Sequence, residues 1–117
     1  MPPRTRIERF LPLKPAALHI LLALAEAPRH GYAIRGVVET RTDGDVRLWP
    51  ATLYGTIREL KRGGLIEDAP AAAAPGDDSR RRYYQLTALG RQVLAAETER
   101  LRRLVRLAQR TYAASQG

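Results

Sequence analysis

The spacing of apolar residues predicts a helix near the start of the chain. Pro15 suits the first turn of a helix and Pro28 stops it, so the helix should span 15–27. It is apolar on nearly every side except at His19 and Glu26. A helix with so little polar surface should be buried.

A second helix should run from about Tyr32 to Arg41 after a turn at residues 29–31. Its inward-facing residues are Ile34, Val37 and Val38. Residues 42–45 then break the chain, and His30 should cap or pack at the start of the helix. The next segment, Val46-Arg47-Leu48, is a candidate short strand.

A third helix should begin at Pro50 and end at Gly63-Gly64. Its apolar residues form one narrow stripe, which consists of Leu53, Ile57 and Leu60. At 100° per residue, the opposite face carries Ala51, Gly55, Arg58 and Arg62. Thr52 and Glu59 flank this face, and Tyr54 and Lys61 lie at the edge of the stripe. The outer face is therefore small, polar and basic.

The last third of the chain predicts a β-hairpin and a long helix. A strand should begin at Leu65-Ile66-Glu67 and its partner should span Arg80 to Leu86, with a long tip from Asp68 to Ser79 between them. Thr87 can cap a final helix from about Ala88 to Ala113. Apolar residues recur along that helix at heptad-like spacing: Leu94, Leu101, Leu104, Val105, Ala108 and Tyr112.

This order of elements is that of a winged helix-turn-helix, a mainly α fold with a small β-hairpin. We expect an N-terminal arm at 1–13, a DNA-binding domain at 14–87 and a dimerisation helix at 88–117. In the arm, Ile7, Phe10 and Leu11 have the spacing of a helical turn that could dock on the domain. A packed arm and a free basic arm both fit the pattern.

Charge favours an anionic partner. The chain has 20 Lys and Arg residues against 12 Asp and Glu, a net charge of +8. Arginine predominates over lysine, which suits contacts to phosphate and guanine but also follows from a GC-rich genome. The first 27 residues imitate a secretory signal, but His19 interrupts the apolar run, which is also too short to span a bilayer.

Residue types that catalysis needs are scarce. Cysteine is absent, which rules out disulfides and thiolate zinc sites and fits a reducing cytoplasm. His19 and His30 lie on different predicted elements, with no carboxylate placed to complete a metal site or a triad. We therefore expect no enzyme activity and no cofactor.

The third helix is the candidate reader of DNA. A helix in the major groove must bring its backbone near the bases, which accounts for small residues at Ala51 and Gly55. A glycine inside a helix otherwise costs about 1 kcal/mol relative to alanine. The predicted DNA-binding residues of this helix are Ala51, Thr52, Tyr54, Gly55, Arg58 and Arg62. Alternatively, the basic residues only solvate an exposed face.

The base of the hairpin adds further basic residues. Arg80, Arg81 and Arg82 precede the returning strand, where they can reach phosphates or a minor groove. Tyr83 and Tyr84 should point to opposite faces of that strand, so at least one belongs to the core, and the other is a candidate phosphate contact. We include Tyr83 among the predicted DNA-binding residues.

The chain resembles the PadR-like transcriptional regulators. The segments that carry the resemblance are His30-Gly31-Tyr32, Pro50-Ala51-Thr52-Leu53-Tyr54, Leu60 to Ile66, and Arg81 to Thr87 with Gly90-Arg91. The resemblance implies a winged helix-turn-helix, a dimer formed through the C-terminal helix, and repression that a small molecule often relieves. The family commonly has glycine where this chain has Ala51. The only tryptophan here is Trp49, so the aromatic drug site on the last helix of some members is not implied.

The apolar row of the last helix predicts a homodimer, because it exceeds what a small domain needs to close its core. The predicted interface residues are Leu94, Leu101, Leu104, Val105, Ala108 and Tyr112. Alternatively, the row folds back on the first helix within one chain. A different function, a basic RNA-binding or protein-interaction module, would use the arginines that surround the same helix. No membrane partner is expected, since dimerisation would bury the apolar face.

Overall fold

A computed structural model describes residues 5–70 and 81–116 of the 117-residue chain. A single 3-10 turn, Glu8–Phe10, precedes the regular elements. These are α1 (Pro15–Glu26), β1 (Arg29–His30), α2 (Gly31–Arg41), α3 (Pro50–Arg62), β2 (Ile66–Ala69), β3 (Tyr83–Leu86) and α4 (Ala88–Gln116). The predicted fold class, mainly α with a small β-hairpin, is confirmed.

The core is built around α1, as its apolar composition predicts. This helix packs against α2, α3, α4 and β3, and its buried residues are Ala17, Ile20, Leu21, Ala23 and Leu24. The stripe of α3, Leu53, Ile57 and Leu60, faces the same core. Burial of this stripe turns the opposite face of α3 outward, as the helical period requires.

The sheet has three strands in the order β1-β3-β2, all antiparallel. The sequence prediction of a strand at Val46-Arg47-Leu48 is wrong, because the strand beside the hairpin is Arg29–His30. Residues 42–46 form a turn on the end of α2, in which the Thr42 hydroxyl donates to the Val38 carbonyl and accepts from the Val46 amide. Asp43 and Gly44 have positive φ there, so this segment is not extended.

The hairpin is joined tightly to α4. The Thr87 hydroxyl accepts from the Gly90 amide at 3.0 Å, which confirms Thr87 as a cap, and it donates to the Gly64 carbonyl at 2.5 Å. Gly90 packs directly on the backbone of Leu65, where an added Cβ would lie 2.0 Å from the carbonyl oxygen. Only glycine permits this approach, which fixes the start of α4 against the end of α3.

The described part of the N-terminal arm, residues 5–13, is packed rather than free. Phe10 lies against Gly63 at the end of α3, where an added Cβ would be 3.1 Å from its ring. The Leu13 amide donates to a carboxylate oxygen of Glu97 on α4 at 2.7 Å. Glu97 is only 1% exposed, and its hydrogen bond from Arg100 lowers the pKa of the Glu97 carboxyl. The arm therefore connects the end of α3 to α4.

The distal half of α4 leaves the core. The last buried residue of α4 is Glu97, and Leu101 is half-buried. Beyond it, Leu104, Val105, Leu107 and Tyr112 are each at least half exposed in the described chain. None of the described helices is both long enough and apolar enough to cross a lipid bilayer.

Candidate nucleic-acid interface

The outer face of α3 is open to solvent. Ala51, Thr52, Tyr54, Arg58 and Arg62 are exposed, and Gly55 is half-buried. Neither Arg58 nor Arg62 forms an ion pair with another described residue. Both guanidinium groups are therefore available to a partner. The structure therefore brings all six predicted residues of this helix onto one surface or its edge.

Gly55 has no role in the packing of the chain itself. A Cβ built at Gly55 would meet no atom within 4 Å, and the backbone there has no positive φ. The fold thus tolerates alanine at this position, although glycine costs about 1 kcal/mol in a helix interior. A requirement for close approach from outside the chain would explain the glycine.

Lys14 adds a basic group that the sequence analysis did not assign to the site. It precedes α1 and lines a cavity of about 350 Å3 at the side of α3, together with Ala51, Thr52 and Gly55. Lys14 is exposed and precedes Pro15. The sequence does not indicate that Lys14 lies near α3, because α1 and α3 meet only through tertiary packing.

The two tyrosines of β3 differ from the prediction. Tyr83 and Tyr84 are both buried, each 6% exposed, whereas one of them was expected at the surface. The ring of Tyr84 packs in the core, and the ring of Tyr83 meets the edge of His30 on the neighbouring strand at 5.3 Å. His30 of strand β1, which the sequence did not reveal, is the cross-strand neighbour of Tyr83 and packs against its ring. Little of Tyr83 is left for contact with DNA.

Arg81 and Arg82 lie exposed immediately before β3, while Arg80 falls outside the described residues. Lys61 at the end of α3 bonds to Asp68 on β2 at 3.0 Å and lies over the ring of Tyr84. This lysine therefore fastens α3 to the hairpin. Arg81 and Arg82 line a recess together with Tyr54 of α3.

His30 contacts both the start of α2 and the residues before β3. Its Nδ1 accepts from the Ala33 amide at 3.0 Å, which confirms the expected cap at the start of α2. Its Nε2 lies 2.9 Å from Nη1 of Arg81. A recess of about 280 Å3 opens beside this contact, and its lining comprises His30, Gly31, Tyr32, Tyr54, Arg81, Arg82 and Tyr84.

A cation–π pair at the start of α3 was not predicted from the sequence. Trp49 precedes the helix and is 60% exposed, and the guanidinium of Arg35 lies over its ring at 5.7 Å. The pairing joins α2 to the first turn of α3. Tryptophan before a helix carries no pattern of its own, so only the tertiary structure reveals this contact.

The predicted interface residues of α4 separate into two groups. The prediction for Leu94 is wrong in the chain as described, because Leu94 is 8% exposed and belongs to the domain's own core. Leu101 is half-buried, and Leu104, Val105, Ala108 and Tyr112 are exposed. Leu107, which the heptad-like row omits, is 52% exposed. Within the described residues, no group of His, Asp or Glu side chains is arranged to hold a metal ion.

Three helices, a hairpin with arginines immediately before its second strand, and an exposed basic face on the third helix define a winged helix-turn-helix protein. The sequence profile of the transcriptional regulator PadR-like family matches residues 20–96. The chain belongs to this family, whose members are transcriptional regulators and not enzymes.

The chain is also similar to individual known proteins in sequence and in structure. The chain is 35% identical over 89 residues to an uncharacterized 37.1 kDa protein in transposon TN4556 of Streptomyces fradiae, and the match covers 76% of this chain but 24% of that protein. A PadR-like regulator from Bacillus cereus superposes with a TM-score of 0.70 at 16% identity, covering 92% of this chain and 97% of the other. PadR from Bacillus subtilis, in complex with operator DNA, superposes with a TM-score of 0.60 at 20% identity, covering 71% and 46%.

Proposed function

We propose that the protein binds duplex DNA sequence-specifically through α3 and represses transcription as a homodimer in the cytoplasm. The observation that carries this proposal is the outer face of α3, where Arg58 and Arg62, which form no ion pair with another described residue, follow a glycine whose Cβ would meet no atom of the fold. Bases are read at close range by side chains such as arginine, which contacts guanine with two hydrogen bonds. The Bacillus subtilis relative in complex with operator DNA supports the same assignment.

The double variant Arg58→Ala, Arg62→Ala tests the role of α3. Both residues lie opposite the buried stripe, so folding should be unchanged. Each substitution should weaken binding to specific DNA by about 1–3 kcal/mol if the arginine reads a base edge. Titration of labelled duplex from upstream of the protein's own gene measures this loss.

The control for this titration is Arg106→Gln, which removes one exposed charge from the distal part of α4. If the double variant binds the upstream duplex with the same affinity as the parent, α3 is not the helix that reads the bases. A parent that prefers single-stranded RNA to duplex DNA across a salt series would instead indicate an RNA-binding module.

The homodimer follows from the short reach of one recognition helix, which contacts only a few base pairs. A two-fold dimer presents two such helices about 34 Å apart and reads an inverted repeat. Four exposed apolar residues on distal α4 supply a surface for this association: Leu104, Val105, Leu107 and Tyr112. The family resemblance also implies relief of repression by a small molecule, which a screen for compounds that release the bound duplex would test.

A further inference from the structure

We propose that the outer face of α2 and the residue before α3 form a second DNA contact, which holds a sugar-phosphate segment of the strand beside the major groove that α3 enters. This surface, which we call the α2 patch, consists of Tyr32, Arg35, Gly36 and Trp49. The inference rests on the proposed function, because it assigns a backbone contact to a protein that binds duplex DNA. None of the four residues belongs to the DNA contacts predicted from the sequence.

Trp49 occupies a position that local structure does not favour for tryptophan. It is the N-cap residue of α3, but its side chain makes no capping hydrogen bond. Serine, threonine, aspartate and asparagine are preferred at an N-cap because their side chains accept from the first free amides of the helix. The indole is also 60% exposed, so burial within the domain does not account for it. A ligand from outside the chain that covers the ring would account for it.

Gly36 repeats this mismatch in the middle of α2. A Cβ built at Gly36 would meet no atom within 4 Å, and the backbone there has no positive φ. The fold therefore does not need glycine at this position, although glycine weakens a helix interior. Residues that contradict local preference without a gain in packing are expected at functional sites. Arg35 connects the two mismatches, since it lies over the Trp49 ring and lines a recess of about 230 Å3 with Tyr32 and Gly36.

Arg35 supplies the positive charge of the α2 patch. It forms no ion pair with another described residue. Glu39 lines the same recess, but its carboxylate lies 3.6 Å from Nε of Arg47, which offsets its negative charge. A guanidinium that lies over an aromatic ring keeps its N–H donors for hydrogen bonds in its own plane. Arg35 can thus bind a phosphate while Trp49 packs on the adjoining deoxyribose.

The α2 patch is continuous with the outer face of α3. Tyr32 shares the neighbouring recess with Tyr54 of α3, and Trp49 directly precedes Pro50 and Ala51. In helix-turn-helix proteins, the helix before the recognition helix crosses the DNA backbone. A second copy of the chain fits less well, because the exposed apolar residues of distal α4 already provide a surface for it. Charge and position therefore favour the DNA backbone as the occupant.

Trp49 is the only tryptophan of the chain, so its fluorescence reports on the α2 patch alone. We expect saturating duplex, of either the upstream or an unrelated sequence, to remove most of the quenching of Trp49 by acrylamide. Anisotropy of end-labelled DNA shows independently that the complex has formed. If Trp49 in the formed complex is quenched as strongly as in the free protein, the α2 patch is refuted and the proposed function stands. Protection that appears without DNA as the protein concentration rises would instead assign the surface to a second copy.

Two variants should raise stability and lower affinity, a combination that a purely structural role does not produce. Trp49→Ser introduces a preferred N-cap, and Gly36→Gln introduces a better helix former, so both should unfold at a higher temperature than the parent. Trp49→Ser should nevertheless lower duplex affinity about tenfold, the equivalent of one aromatic contact to nucleic acid. Gly36→Gln should also lower it, because the added side chain fills the recess that the DNA backbone enters. Parental affinity in both variants would overturn the assignment.

Arg35→Gln tests the phosphate contact. It should flatten the slope of log affinity against log salt by about 0.9, the value for one neutralised phosphate. Arg35→Lys keeps the charge and should keep the parental slope. The loss in Arg35→Gln should be equal for the upstream and the unrelated duplex, because a backbone contact carries no base information. The Arg58→Ala, Arg62→Ala variant should instead lose affinity mainly for the upstream duplex.

Arg106→Gln on distal α4 is the matched control for the loss of one charge. A slope change in Arg35→Gln no larger than that in Arg106→Gln would refute the phosphate contact, as would a loss confined to the upstream duplex. If the parent binds neither duplex, the proposed function fails together with the α2 patch.

Discussion

The two halves of α4 differ in what surrounds them. From Gly90 to Glu97 the helix packs into the domain, and its buried residues contact elements that begin far earlier in the chain. Beyond Leu101 the same helix carries the exposed apolar residues Leu104, Val105, Leu107 and Tyr112. The first half is thus part of one folded chain, whereas the second half presents the surface that we assign to association. Folding and association should therefore respond to different substitutions.

The largest effect is expected from acidic substitutions on the distal half of α4. Leu104→Asp with Val105→Asp would bury carboxylates without partners in the proposed dimer, at a cost of about 3–5 kcal/mol in association. Both residues are about half exposed in the single chain, so the domain should stay folded. Sedimentation should show folded monomers that no longer bind the upstream duplex. A parent that sediments as a monomer at micromolar concentration would contradict the proposed dimer, and a variant that unfolds would show that this surface belongs to the domain.

A methyl group at the proximal end should act on folding instead. Gly90→Ala places a Cβ against the Leu65 carbonyl oxygen, a backbone atom that cannot move aside cheaply. We expect a loss of about 3 kcal/mol in the free energy of unfolding, at the upper end of overpacking effects. Gly55→Ala is the matched control, since its Cβ meets nothing and should stabilise α3 by up to about 1 kcal/mol. Urea denaturation compares them, and equal stability of Gly90→Ala and the parent would show that the junction is not close-packed.

The smallest effect concerns the boundary between the halves. Glu97→Gln weakens the bonds to Arg100 and to the Leu13 amide, which should cost about 1–2 kcal/mol. The hydrogen bond from Arg100 holds the pKa of Glu97 below its ordinary value of 4.5 in the folded chain. The stabilisation is therefore present above pH 4.5 and is lost as the pH falls through the lowered pKa. Denaturation of parent and variant across this range should converge at low pH, and a constant difference would refute the linkage.

The main helices of this fold were predictable from the sequence. The apolar α1, the single stripe of α3 and the extended α4 are each set by helical periodicity, and their starts are marked by a proline in α1 and α3 and by the Thr87 cap in α4. Strand β1 was not predictable, because two residues, Arg29 and His30, cannot display a period of two. Without β1, Tyr83 also had no predicted neighbour, which is why Tyr83 was expected to be available to DNA.

The site was predicted where it depends on one helix and was missed where it depends on tertiary packing. The face of α3 follows from the position of its stripe. Leu94 was misassigned because the core stripe and the heptad-like row coincide over the first turns of α4. Glu97 offered no signal, since its partner, Leu13, lies 84 residues away. The same is true of His30 and Arg81, which only the sheet brings together.

The unbroken course of α4 from Ala88 to Gln116 makes it a rod with a defined angular phase. Because Gly90 fixes its start, the direction in which Leu104 and Val105 face depends on how many residues precede them. One inserted residue would turn that face by about 100°, whereas seven would return it to within about 20° and move it about 10 Å along the axis. Length changes in whole heptads would thus alter the separation of two paired domains without changing either their folds or their mode of pairing.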